Sequence, residues 1–170
     1  RIMDVSIITF YTGGRPRYLA QCMDSVYDDI NGQLIKDEYK VEHHIVLQGV
    51  NKIDNNLDSI LDYFKNNGCY KCIVHHWPQN IGIGAGLNKV LPECTAPLIF
   101  KMDDDCKIIG SDFFVRALAL HKRFPNSVFS PFPIGLIRNA GGPKGFKHSV
   151  WVDKQNNQIY TRRHVNHAGG

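Results

Sequence analysis

The feature that most constrains this chain is an alternation: four short apolar or β-branched runs, each leading through a loop into a stretch with helical periodicity. Val5 to Phe10 (VSIITF) reads as a buried strand leaving into Tyr11-Thr12-Gly13-Gly14, and Pro16 suits a first helical turn. Leu19, Met23, Val26 and Ile30 recur at the spacing that lines one helix face. Val41 to Leu47 repeats the strand pattern and ends at Gln48-Gly49, after which Leu57, Ile60, Leu61 and Phe64 mark a second amphipathic helix closed by Asn66-Asn67-Gly68. A third strand, Cys72 to His75, passes through Trp77-Pro78-Gln79-Asn80 to a helix start containing Gly82, Gly84 and Gly86. The fourth, Leu98 to Met102, is apolar on both faces apart from Lys101 and runs into Asp103-Asp104-Asp105; Ser111 is then placed to cap a helix carrying Phe113, Phe114, Ala117 and Leu118. Such alternation calls for an α/β fold, a mostly parallel sheet with helices on both faces. Ligands of open α/β sheets bind outside the carboxyl ends of the strands, so the loops after Phe10, Leu47, His75 and Met102 should share one crevice.

Beyond Ser130 the pattern breaks, with Pro131, Pro133, Gly135, Gly141, Gly142, Pro143 and Gly145 interrupting any regular element. A short hairpin is expected from Trp151 to Tyr160, turning at Gln155-Asn156-Asn157. The 170 residues have the size of one domain, loop-rich from residue 126 onward. An apolar fraction of 43% with 21% charged residues excludes disordered, collagen-like and coiled-coil chains. No apolar run has the length of a bilayer span, and the N-terminus lacks a signal-peptide pattern. A net charge of +4, dispersed except at Arg162-Arg163 and the His-rich tail, fits an anionic ligand better than nucleic acid. Five cysteines without a disulfide framework point to a reducing, cytoplasmic compartment, with peripheral membrane association left open; Cys69-x-x-Cys72 has no second pair to complete a zinc site. Arg1 in place of Met suggests a piece of a longer protein.

Three adjacent carboxylates at the end of a buried strand repel one another, and desolvation raises their pKa values unless a cation compensates. A divalent metal does so economically. Alternation along an extended chain turns Asp103 and Asp105 the same way and Asp104 elsewhere. Their hard oxygens suit Mg²⁺ or Mn²⁺, which complete their shells with water and substrate phosphates. The segment Asn80-Ile81-Gly82-Ile83-Gly84-Ala85-Gly86 resembles a phosphate cradle at a helix start, although glycines there also serve plain turns. In the first loop Phe10 reads as core, Tyr11 as a half-wet aromatic able to stack on a base, Thr12 as a hydroxyl donor and Arg15 as a phosphate contact. His43-His44 and His75-His76 read as partly exposed structural residues, while His164 and His167 could reach a metal or diphosphate.

Taken in order, these segments resemble the family 2 glycosyltransferases of GT-A fold. VSIITFYTGGRPRYLAQCMDSV looks like that family's first strand, nucleotide loop and helix; NIGIGAGLNKVL is similar to its Asn-x-Gly, spacer, Ala-Arg-Asn pattern; LIFKMDDD looks like the strand entering its D-x-D motif. The resemblance covers about residues 4–125, the expected nucleotide-sugar-binding half, with 126–170 the start of an acceptor half. It implies metal-dependent, inverting transfer of a sugar from a nucleotide-diphosphate sugar, UDP first, to a hydroxyl of a glycan, lipid or protein acceptor. It implies base contacts from Thr9 and Tyr11, a ribose contact from Asp103 or Asp104, a metal at Asp105 with Asp103, and donor contacts from Asn80, Gly82 and Gly86. Two positions depart from the pattern: Gln48 stands in the run where the family often has acids, its amide still able to bond a base, and Leu87 stands where Arg is usual. HVNHAGG looks like the stretch before the family's catalytic carboxylate, so the general base is expected beyond Gly170. A sugar-phosphate nucleotidyltransferase and a non-catalytic nucleotide-sugar-binding module are the competing readings.

Overall fold

The protein is represented by a computed structural model, which describes residues 3–31, 39–65, 70–110, 112–125, 128, 148–153 and 158–163. Two compact units divide the chain, Arg1–Ser127 and Val128–Gly170.

In the first unit the expected alternation appears as β1 (Val5–Tyr11), α1 (Pro16–Asn31), β2 (Val41–Gln48), α2 (Asn55–Lys65), β3 (Tyr70–Trp77), α3 (Ile83–Val90), a 3-10 turn (Leu91–Glu93), β4 (Leu98–Asp103) and α4 (Phe113–Arg123). The strands form one parallel sheet in the order β3-β2-β1-β4. Chain order therefore reverses at β1: β2 and β3 add on one side, and β4 returns to the other. That is the switch point at which open α/β sheets open a crevice.

Strand parity sorts the side chains. Ile7, Tyr11, Ile45, Leu47 and Met102 join Leu19, Met23 and Val26 of α1, Leu57, Leu61 and Phe64 of α2 and Phe114 of α4 in the larger core. Ile8, Phe10 and Val46 face the other way, against Val90 of α3. Helices thus cover both faces, as the alternation requires. Burial of each full Leu or Ile side chain contributes on the order of 1.5–3 kcal/mol, so these two layers carry most of the unit's stability. Gly86 explains how α3 comes so close: a Cβ there would lie 2.6 Å from the Phe10 ring.

Two expectations need correction. His43 and His44 are fully buried rather than partly exposed, because β2 is a central strand with both faces covered, whereas His75 is half-buried and His76 exposed on the edge strand β3. β4 is apolar and covered on one face only: Ile99 is 42% exposed, and Lys101 and Asp103 follow it on the same open face.

Buried polar groups fasten the layers. His43 lies between the hydroxyls of Thr9 (2.8 Å) and Tyr70 (2.6 Å), and burial depresses its pKa to about 3. Glu42 accepts hydrogen bonds from the Ser6 hydroxyl (2.6 Å), the Thr95 N–H (2.6 Å) and the Thr95 hydroxyl (3.1 Å). Burial alone would raise that carboxyl; the three donors, with His44 beside it, hold it below its usual value. Asp29 of α1 accepts the backbone N–H groups of Phe113 (2.9 Å) and Phe114 (3.1 Å), capping α4 from another helix. The Ser111 cap falls outside the described residues, and Asp112 at the N-cap makes no side-chain capping bond.

In the second unit the hairpin strands are β5 (His148–Asp153) and β6 (Gln158–Arg163), antiparallel with Trp151 opposite Tyr160. The expected turn at residues 155–157 lies between them, outside the described residues. No helix of the described residues is long and apolar enough to cross a membrane. Cys22, Cys72, Cys94 and Cys106 are free thiols; Cys69 is outside the described residues.

Candidate functional site

The first and fourth strands carry the loops that meet at the switch point. Asp103 ends β4 opposite Phe10 in the register. The chain then turns at once, the Cys106 N–H donating to the Asp103 carbonyl at 3.1 Å. This tight turn, rather than a continued strand, brings Asp105 back toward Asp103: oxygens of both and the Cys106 sulfur lie within 4.8 Å of one another, all three residues exposed. Asp104 goes the other way and is buried. Desolvation raises the Asp104 carboxyl, Arg15 opposes that shift, and the flanking Asp105 and Asp103 add to it. Burial and the same two neighbours push the Cys106 thiol up.

Arg15 reaches this turn from the loop after β1. Its guanidinium donates to Asp105 Oδ2 at 3.1 Å and to Asp104 Oδ1 at 3.3 Å, and it lies over the Tyr18 ring at 5.8 Å. The loop can turn back on itself because Gly13 and Gly14 take φ of 97° and 80°, values costly for other residues. Thr12 is exposed beside them.

The second and third loops meet next door. Gly49, at φ 69°, donates its N–H to the Trp77 carbonyl at 3.0 Å and packs where a Cβ would come within 3.1 Å of Asn80. Asn80 Oδ1 accepts the Gly82 N–H at 2.9 Å, and Gly82 at φ 78° opens α3. The first helical bond runs from the Gly86 N–H to the Gly82 carbonyl, so the N–H groups of Ile83, Gly84 and Ala85, on exposed residues, have no acceptor within the helix. Gln48, at the end of β2, is 1% exposed, and its Oε1 has no partner among the described residues.

Of the residues expected at a site, Thr12, Arg15, Asn80, Gly82 and Asp103 to Asp105 lie on these loop ends, with Arg15 in direct contact with Asp104 and Asp105. Tyr11 does not show the half-wet surface expected of it, and Thr9, expected as a base contact, is buried as well. Parity points both toward the α1 layer: Thr9 is fully buried on His43, and Tyr11 is 2% exposed in the larger core. Burial raises the Tyr11 phenol, offset in part by hydrogen bonding from the Arg15 backbone. Gly86 is buried against Phe10, so the lack of a side chain there serves packing. His164 and His167 lie outside the described residues. Ser25 and Asp29 were not expected at all: Ser25 Oγ accepts the Ile108 N–H at 2.9 Å, so Arg15, just before α1, holds the acidic turn, and α1 itself holds the segment after it at Ser25 and Asp29.

The chain is similar in fold to two solved glycosyltransferase structures. Mannosyltransferase PcManGT from Pyrobaculum calidifontis, in complex with GDP-Man and Mn²⁺, aligns with a TM-score of 0.54 at 14% identity over 71% of this chain and 33% of that one. TarS residues 1–349 from S. aureus align with a TM-score of 0.53 at 17% identity over 76% of this chain and 39% of that one. The chain thus spans well under half the length of either, and at these identities the likeness shows the GT-A fold alone. No curated protein matches the chain significantly. The profile of glycosyl transferase family 2 matches residues 6–162, nearly the whole sequence, and the chain belongs to that family.

Proposed function

We propose that the protein takes part in metal-dependent, inverting transfer of a sugar from a nucleotide-diphosphate sugar to an acceptor hydroxyl on a glycan, lipid or protein. The observation that carries this reading is the paired, exposed Asp103 and Asp105 at the switch point, with Arg15 on Asp105. Two exposed hard carboxylates within reach of one ion fit Mg²⁺ or Mn²⁺. Such an ion, when bound, supplies charge stabilisation for the departing diphosphate. Arg15 is placed to bind a phosphate oxygen, and the free N–H groups opening α3 to receive another. Asp103, more open than the buried Asp104, takes the ribose contact as well as a metal contact. Gln48, at the end of β2, brings a buried amide oxygen with no partner among the described residues, and joins Thr9 and Tyr11 as a candidate contact to the base.

In the transfer, the acceptor oxygen forms its bond to the anomeric carbon as the bond to the β-phosphate oxygen breaks, and a base removes the hydroxyl proton. No described residue is assigned as that base. The free thiols among the described residues are compatible with a reducing, cytoplasmic setting, which is part of this proposal. Membership of a glycosyl transferase family favours this reading over a nucleotidyltransferase, which would release pyrophosphate from a nucleoside triphosphate. Calorimetric titration of UDP, GDP and dTDP with Mn²⁺, then with EDTA, on wild type and Asp105→Ala, tests the site. Binding that needs both the metal and Asp105 is expected. Nucleotide binding indifferent to EDTA and to Asp105 would refute the metal-dependent reading, and metal-dependent binding without transfer to any acceptor would favour the binding-module alternative.

A further inference from the structure

Lys101 has no part in the chemistry above, yet it sits in the acidic cluster. It precedes Asp103 by two residues on β4, so both project from the same open face of the strand. Its ammonium contacts Asp103 Oδ1, with side-chain exposures of 34% and 55%. Across the turn, Arg15 occupies Asp105 and Asp104. Each outer carboxylate of the candidate metal pair therefore already holds a cation of the protein's own.

The two cations are not equivalent. Arg15 is tied to Asp104, whose side chain is only 12% exposed, and retains that partner if Asp105 turns to another ligand. Among the described residues Lys101 is paired with Asp103 alone. An ion that takes Asp103 must either displace this ammonium or share a carboxylate with it, and like charges at a shared oxygen repel.

Resting on the metal reading above, we propose that Lys101 is a resident counter-ion that competes with the divalent metal for Asp103, so that metal binding here is a cation exchange and the metal-free turn keeps its acids compensated. Exposed pairs are weak and screened by salt, so the competition is modest: about two- to fivefold in metal affinity at low ionic strength, fading as the screening length falls from about 30 Å at 0.01 M to about 3 Å at 1 M.

The test is titration of Mn²⁺ alone, followed by the electron paramagnetic resonance of free Mn²⁺, on wild type, Lys101→Met, Lys101→Gln, Lys101→Arg and Asp103→Asn, with thermal unfolding to confirm that each is folded. Lys101→Met and Lys101→Gln are expected to bind Mn²⁺ about two- to fivefold more tightly than wild type at low salt and equally at high salt. Lys101→Arg, which keeps the charge, should match wild type. Unchanged or weaker binding by both neutral variants, with Asp103→Asn still impaired, overturns the role of Lys101 and leaves the metal site standing. Absence of Mn²⁺ binding in wild type and neutral variants alike overturns both.

Discussion

Carboxylates in this protein are held in two different ways. Glu42 and Asp29 are buried, and their partners are fixed: three donors from Ser6 and Thr95 for the first, two helix N–H groups for the second. Asp103 and Asp105 are exposed, and their partners are the tips of long cationic side chains, Lys101 and Arg15. A backbone N–H cannot leave without unfolding its element, whereas an ammonium or guanidinium tip can swing away at little cost. The contrast teaches which acids serve the fold and which are available to a ligand. Asp104 stands between the classes, buried like the first and answered by Arg15 like the second.

The largest expected effect lies on the exposed side. Asp105→Ala should lower Mn²⁺-dependent nucleotide binding and any transfer by about 10²-fold or more, the scale of losing one charge-stabilising group, while its melting temperature stays near that of wild type. Loss of binding together with a collapsed melting transition would place Asp105 among the structural acids and break the distinction.

The second effect reverses the pattern. Asp29→Ala leaves the N–H groups of Phe113 and Phe114 without their acceptor inside the protein, and should cost about 2 kcal/mol or more by urea unfolding. Because α1 also carries Ser25 on Ile108, the acidic turn should loosen with it, so nucleotide binding falls less than tenfold. An unchanged unfolding midpoint would mean that α4 is capped without Asp29.

Why one class could be read from the sequence and the other could not follows from range. Asp103 to Asp105 are neighbours at the end of an apolar run, and strand pattern alone places them at a carboxyl edge. The alternation of strand and helix, and the positions of Leu19, Met23, Val26, Leu57, Leu61 and Phe64, are likewise local periodicities, and all six are buried where their spacing puts them. Asp29 meets its partners 84 and 85 residues away, and Glu42 meets Ser6 and Thr95 at 36 and 53. Nothing within a helical or strand window distinguishes such acids from solvated ones. His43 and His44 were misread for the same reason: only the strand order shows β2 to be central. Parity, which the sequence does carry, would have turned Thr9 and Tyr11 inward with Ile7 had the covered face been known.

The smallest effect concerns pH and separates the two regions by titration. His43 is buried between two hydroxyls with its pKa depressed to about 3, against about 6.5 in the unfolded chain. Between those values the unfolded state binds the proton and the folded state does not, so stability rises with pH across the window and is lost as pH falls from 6.5 toward 3. The slope from this one group approaches about 1.4 kcal/mol per pH unit. Asp29, raised by burial, works in the opposite sense, and Glu42, held low, in the same sense, so the wild-type profile is a sum. The difference between wild type and His43→Gln, an amide that can bond both hydroxyls without titrating, isolates the histidine. Urea unfolding at pH 6 and pH 5 should show wild type losing about 1 kcal/mol more than the variant. Equal losses would mean that His43 titrates in the folded protein, and that the buried network is open to solvent in the way the acidic turn is.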